Sequence, residues 1–158
     1  MTDERMGETL WTALHRLPPG SGVVFRHHHT PQVERQILLR RVRRVAKARR
    51  LVVFVAGRGM ADGVHGPTPG QALRSWPAHE RREALVGVRA GAAILFVSPV
   101  FATRSHPNAR TLGPARAARI GRGLPADIIA LGGMTEQRWR RIRRWGFDGW
   151  AAIDAWLD

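Results

Sequence analysis

The 158 residues suit one domain around one core, and with 44% hydrophobic and 24% charged residues the chain is too apolar to be disordered. It has no cysteine, which excludes disulfides and thiolate metal sites, and its longest apolar runs, such as Ala92 to Val97, fall far short of the roughly 20 residues that cross a bilayer. The formal net charge of +14 rests almost wholly on arginine, with Lys47 the sole lysine, and a surface of that sign concentrates polyanions.

The arginines fall on helix-like segments, Arg35 to Arg50 and Arg138 to Arg144, where they read as solvated faces. No zinc-finger, RRM or KH signature accompanies them, which weighs against a nucleic-acid module. The opening, Met1 to Glu8, is charged in both signs and leads into no long apolar stretch, so no signal peptide is expected. These features predict a cytoplasmic protein without a membrane segment.

Taken in chain order, an opening helix precedes Gly22 to His28 (GVVFRHH), which reads as a strand. Thr30 and Pro31 suit an N-cap and a first-turn position for a helix to Arg50, with Val33, Ile37, Leu38, Val42 and Val45 near helical spacing. Leu51 to Ala56 is a buried strand by its unbroken apolar character, Ala61 to Gly66 a short strand, and Leu73 to Ser75 a weak one. A helix over Ala78 to Arg89 is followed by a strand over Ala92 to Val97 and a long polar loop, Ser98 to Gly113. Pro114 to Gly121 reads as a helix and Asp127 to Leu131 as a strand; Thr135 caps a helix to Trp145, and Gly149 to Ile153 is the last strand. Alternation of this kind predicts a parallel α/β protein and leaves barrel and open sheet undecided.

Active sites of parallel α/β folds gather at the carboxyl ends of the strands. Four edges stand out: Arg26 with His27, His28 and His29; Asp62-Gly63-Val64-His65-Gly66; the loop Ser98 to His106; and Leu131-Gly132-Gly133-Met134-Thr135. The triple histidine is weak evidence for a metal, because successive strand residues point to opposite faces. Thr103, Arg104, Ser105 and His106 supply donors suited to phosphate oxygens, and the bare amides of Gly132 and Gly133 entering a helix suit an anion.

The ordered set of motifs resembles thiamine phosphate synthase and its thiazole tautomerase relatives over roughly two thirds of the chain. ADGVH at Ala61 to His65, HERREA at His79 to Ala84, SPVFATRSH at Ser98 to His106 with Leu112-Gly113, ALGGM at Ala130 to Met134 and the closing GFDGWAAIDAW carry the likeness. The resemblance implies a TIM-barrel-like (βα)8 fold forming one domain over the whole chain. It implies a transferase that joins a hydroxymethylpyrimidine diphosphate to a thiazole phosphate, with magnesium assisting departure of the pyrophosphate. Arg26 matches the family's strand arginine, and Thr103 and Ser105 its hydroxyl pair on the pyrophosphate loop. Gly132 and Gly133, with the backbone near Ile153, match the thiazole-phosphate seat, and His65 lies on the matching histidine strand.

Departures fall on catalytic positions. Val24 stands for a glutamine, His28 and His106 stand for lysines, and Pro77 and Asp154 stand for serines. Ala56-Gly57 and a Gly-Pro-Thr-Pro run replace the segments that carry the family's two magnesium aspartates, so no metal ligand is recognisable. The stretch between LVVFVA and ADGVH is too short for the family's helix, and nothing apolar precedes Met1, so an abbreviated barrel is expected. Its open edge calls for a missing segment or a second copy of the chain as cover. Two other readings stay open: a relative without synthase activity, such as a tautomerase using His28 or His106 or a phosphate-ligand binder, and a basic nucleic-acid-associated module. If the barrel reading holds, the Thr103 loop and the Gly132–Gly133 turn lie side by side.

Overall fold

The structure, a computed structural model, describes residues 1–68, 73–103 and 110–156. It divides into two units, Met1–Leu73 with Trp156, and Arg74–Ala155.

In the first unit, α1 (Thr9–Arg16) buries Leu10, Ala13 and Leu14, spaced to share one helix face. Strands β1 (Gly22–Phe25), β2 (Val52–Ala56) and β3 (Gly63–His65) run parallel in that order, with Val24 beside Phe54 and Val55 beside Val64. Val23, Val24, Phe25, Val53, Phe54, Val55 and Ala56 are all buried, as the unbroken apolar runs require of strands covered on both faces. Residues 57–62 join β2 directly to β3 without a helix. So short a return is feasible because the part of β2 that β3 pairs with is its last, Phe54–Ala56.

The helix between β1 and β2, α2 (Gln32–Arg49), begins one residue later than the sequence suggests, with Pro31 at its N-cap. Its core face also differs from expectation. Arg35, Leu39, Val42 and Ala46 are buried, whereas Val33 and Ile37 are 71% and 47% exposed. Val42 is buried as the spacing predicts and Leu38 and Val45 are half-buried, so the core face is turned from the expected one only in the first two turns, where a buried arginine occupies a core position.

The second unit contains β4 (Leu73–Ala78, all but Leu73), β5 (Ile94–Val97), β6 (Asp127–Leu131) and β7 (Gly149–Ala151). They too run parallel in chain order. Between them lie α3 (Arg81–Arg89), α4 (Pro114–Gly121) and α5 (Glu136–Ile142), the last continued by a single 3-10 turn to Trp145. The weak strand expected over Leu73 to Ser75 extends to Ala78, which ends a strand instead of opening a helix. Thr135 caps α5 as expected, its hydroxyl accepting the Arg138 main-chain N–H at 3.2 Å.

Each unit uses an Asp-Gly pair in the same way. The Asp62 carboxylate accepts the Val53 N–H at 2.8 Å, and the Asp148 carboxylate accepts the Ile128 N–H at 2.8 Å. Both aspartates thus satisfy an amide at the amino end of the neighbouring strand. This corrects the reading of Asp62 as part of a ligand edge: of the ADGVHG motif, only His65 and Gly66 stand at the carboxyl end. Among the described residues no helix is long and apolar enough to cross a membrane.

Candidate active site

In the first unit β1 stops at Phe25, so the expected strand through His28 is three residues too long. His27 takes a positive φ of 28°, which ends the strand alternation and with it the argument about which histidines share a side. Its ring is buried, stacks on Phe25 at 4.6 Å, and has Nδ1 3.0 Å from the Thr2 hydroxyl. His28 and His29 are exposed. The Thr2 N–H donates to the Val24 carbonyl at 2.8 Å, so the opening residues lie along the end of β1.

Arg35, expected to be solvated, is 5% exposed. Its Nε donates to the His27 carbonyl at 3.0 Å, Nη1 to the Arg58 carbonyl, and Nη2 to the carbonyls of Ala56 and Arg26. The guanidinium also lies 5.1 Å from the centre of the Phe25 ring. A planar fork with five N–H donors is the side chain best suited to gather several carbonyls at once. Arg35 therefore fixes the segments leaving β1 and β2, and with them the main chain of Arg26.

Arg26 is partly buried, and its N–H donates to the Thr2 hydroxyl at 3.2 Å. His28 is held below its ordinary imidazole value by desolvation, then by the Arg26 and Arg35 guanidiniums. His65 is pushed down to about 4, chiefly by burial, with Arg26 adding to the effect. At neutral pH the His65 ring is therefore uncharged. The sign of the linkage follows: between pH 6.5 and about 4 the unfolded chain binds a proton that the native state refuses, so stability falls as the pH is lowered through that window. We expect wild type to lose about 2–3 kcal/mol there relative to His65→Gln, measured by urea unfolding at several pH values. Parallel curves for the two proteins would contradict it.

In the second unit the loop after β5 lies against the turn after β6. The Val100 N–H donates to the Leu131 carbonyl at 2.9 Å, and the Phe101 N–H to the Gly132 carbonyl at 3.1 Å. Gly132 and Gly133 have φ of 93° and 59°, and the approach is close: a Cβ on Gly132 would stand 2.8 Å from Pro99 Cα, and one on Gly133 would overlap the Ala102 carbonyl oxygen. Only glycine combines that backbone conformation with that lack of space. The Gly-Gly pair, weak evidence when read alone, is thus required where the two segments meet. Thr103 is partly buried at the end of this loop, and Ile153 is partly buried beyond β7. Ser105 and His106 lie outside the described residues, as does the side chain of Asp154.

Two residues of this edge were not singled out from sequence. His79, just after β4, has Nδ1 2.8 Å from the Ser98 carbonyl, and its main-chain N–H donates to the Glu83 carboxylate. A carbonyl only accepts, so the contact requires a proton on Nδ1. Arg138, expected among solvated arginines, is half-buried; it donates to the Gly133 carbonyl and lies 4.8 Å from the centre of the Phe101 ring. His79 opens the HERREA motif, the signal by which it could have been found, but nothing local distinguishes Arg138 from the arginines that follow it.

The family model described as thiamine monophosphate synthase matches residues 71–156, the stretch that holds both the Phe101 loop and the glycine turn. The chain belongs to the thiamine monophosphate synthase family. A thiamine-phosphate synthase of Chloroflexus aurantiacus is 38% identical over 89 residues, 54% of this chain and 40% of the relative. A putative thiamine-phosphate synthase 2 of Aquifex aeolicus is 30% identical over 109 residues, 62% of this chain and 59% of the relative. The chain thus spans about two fifths to three fifths of the length of these relatives.

The solved thiamine phosphate pyrophosphorylase of Pyrococcus furiosus superposes with a TM-score of 0.81 at 22% identity, covering 98% of this chain and 84% of that one. At that identity the likeness speaks for the fold, which is α/β and TIM-barrel-like in abbreviated form.

Magnesium, which the family's chemistry uses, would need hard oxygen ligands. Among the described residues no three His, Asp or Glu side chains gather to hold a metal ion. Asp62 is committed to the Val53 amide, and the segments leaving β2 and β3 present Gly57, Arg58, Gly66 and Thr68. The described residues do not fit the ion.

Proposed function

We propose that this chain is a thiamine phosphate synthase-type transferase that joins a hydroxymethylpyrimidine diphosphate to a thiazole phosphate. The carbon–oxygen bond between the pyrimidine methylene and the diphosphate breaks, and its electron pair leaves with pyrophosphate. The thiazole nitrogen lone pair then forms the new carbon–nitrogen bond. No proton needs to move, so the protein's task is to hold two phosphate-bearing substrates and stabilise separating charge.

On this reading Arg26 and His28 supply cationic or donor groups at the end of β1, with His65 a neutral neighbour. Thr103, Ser105 and His106 donate to the diphosphate, and Gly132 and Gly133, with the main chain near Ile153, seat the thiazole phosphate. The observation that carries the proposal is the pairing of the Phe101 loop with the glycine turn inside the family-matched region. Two flexible donors on unrelated segments would recognise a phosphate poorly; a main-chain-bonded pair is preorganised. The same reading makes the protein cytoplasmic, and a second copy of the chain would cover an exposed strand edge.

The test is turnover with both substrates, with and without added magnesium. Thiamine phosphate is expected to form only when both substrates are present. A folded protein that binds phosphate esters yet forms no product under either condition would overturn the synthase reading in favour of a binding or tautomerase relative.

A further inference from the structure

We propose that Arg138 is a phosphate-binding residue, holding a phosphate monoester at the junction of the Phe101 loop and the Gly132–Gly133 turn. The inference rests on the phosphate-seat reading above and adds to it a side chain that supplies the charge. A turn of main-chain amides can orient a phosphate but carries no net charge to offset a dianion. Among the described residues, the guanidinium that touches that turn belongs to Arg138.

Its placement is constrained from two sides. One nitrogen, Nη1, donates to the Gly133 carbonyl, and the guanidinium carbon lies 4.8 Å from the Phe101 ring centre. Contact with a ring face and a carbonyl restrains the guanidinium plane. Among the described residues no other group engages it, so most of its five donors are not committed to the protein. Glu136, two residues before it and so turned to another face of the helix, pairs with Arg140, and among the described residues no carboxylate is paired with Arg138. The arrangement therefore keeps a half-buried positive charge beside two glycines whose shape leaves no room for a side chain. A planar fork in such a position favours an acceptor with several oxygens on one face, which is the geometry of a phosphate.

The experiment titrates inorganic phosphate into wild type, Arg138→Gln, Arg138→Lys and Arg140→Gln at fixed ionic strength, with EDTA present. Melting temperature and Kd are the readouts, since a ligand of the native state raises the former by mass action. Arg138→Gln is expected to weaken phosphate binding by about tenfold or more. Lysine keeps the charge without the fork and should fall in between, while Arg140→Gln should bind as wild type does. A merely structural Arg138 would lower the melting temperature without phosphate and leave Kd unchanged. If wild type binds phosphate and both Arg138 variants bind within about twofold of it, the inference fails and the phosphate seat stands. Should wild type bind no phosphate, the seat and the inference fall together. If Arg138→Gln does not fold, the lysine variant decides on the same criterion.

Discussion

Arg35→Leu is expected to destabilise the native state by about 3–5 kcal/mol, the largest effect of any single replacement proposed for this chain. The guanidinium serves four carbonyls, those of Arg26, His27, Ala56 and Arg58, and its removal leaves them short of donors in a site that excludes most water. Leucine fills part of the volume but donates nothing. Arg35→Lys should be intermediate, because an ammonium retains the charge and reaches some of the carbonyls without matching the fork. Urea unfolding of the three proteins checks this. A loss below about 1 kcal/mol for the leucine variant would show that water replaces the guanidinium at little cost.

Gly133→Val should have the second largest effect and act on stability and binding together. A β-branched residue at φ 59° is strained, and its Cβ would overlap the Ala102 carbonyl and come within 3.0 Å of Phe101 Cβ. Backbone strain and overpacking together suggest a loss of about 2–4 kcal/mol. The chain can relieve the overlap only by moving the loop from the turn, so phosphate affinity should fall by more than the stability loss alone explains. Unfolding curves and phosphate titrations of the same samples separate the two effects. Unchanged phosphate affinity in a destabilised variant would mean that the turn is structural only.

The sequence made the repetitive parts legible. LVVFVA, AAILFV and DIIAL read as strands because a parallel strand buried on both faces needs an unbroken apolar run, and Thr135 announced α5 through its cap. The Ser98–His106 loop and the Gly-Gly turn were placed at one edge by the rule that strands of a parallel sheet end together. Main-chain hydrogen bonds join the parts of these segments that are described.

What remained hidden depends on partners that carry no residue-type signal. Arg35 and Arg138 bond to carbonyls, which every residue owns, so their burial could not be told from a solvated arginine. In β4, Arg74 and Pro77 masked a strand that pairs in register with Ile94 to Val97. His27 takes a positive φ just past the end of β1, a conformation uncommon outside glycine that a run of three histidines does not announce.

The excess of positive charge divides into an exposed helix face and two partly or fully buried arginines. Arg40, Arg41, Arg44, Lys47 and Arg50 of the α2 segment are exposed, and Arg41 lies 4.6 Å from the Trp11 ring centre. They form a solvated face of ordinary helical character, while Arg35 and Arg138 serve the ends of strands or the segments just beyond them.

The most direct test of the phosphate seat is to follow backbone amide resonances of the wild-type protein while a thiazole phosphate is added. The signals of Phe101 to Thr103 and of Gly132 and Gly133 should shift together and saturate with one Kd. If those amides stay fixed while the shifts concentrate on the arginines of α2, the anion site lies elsewhere and the account is wrong.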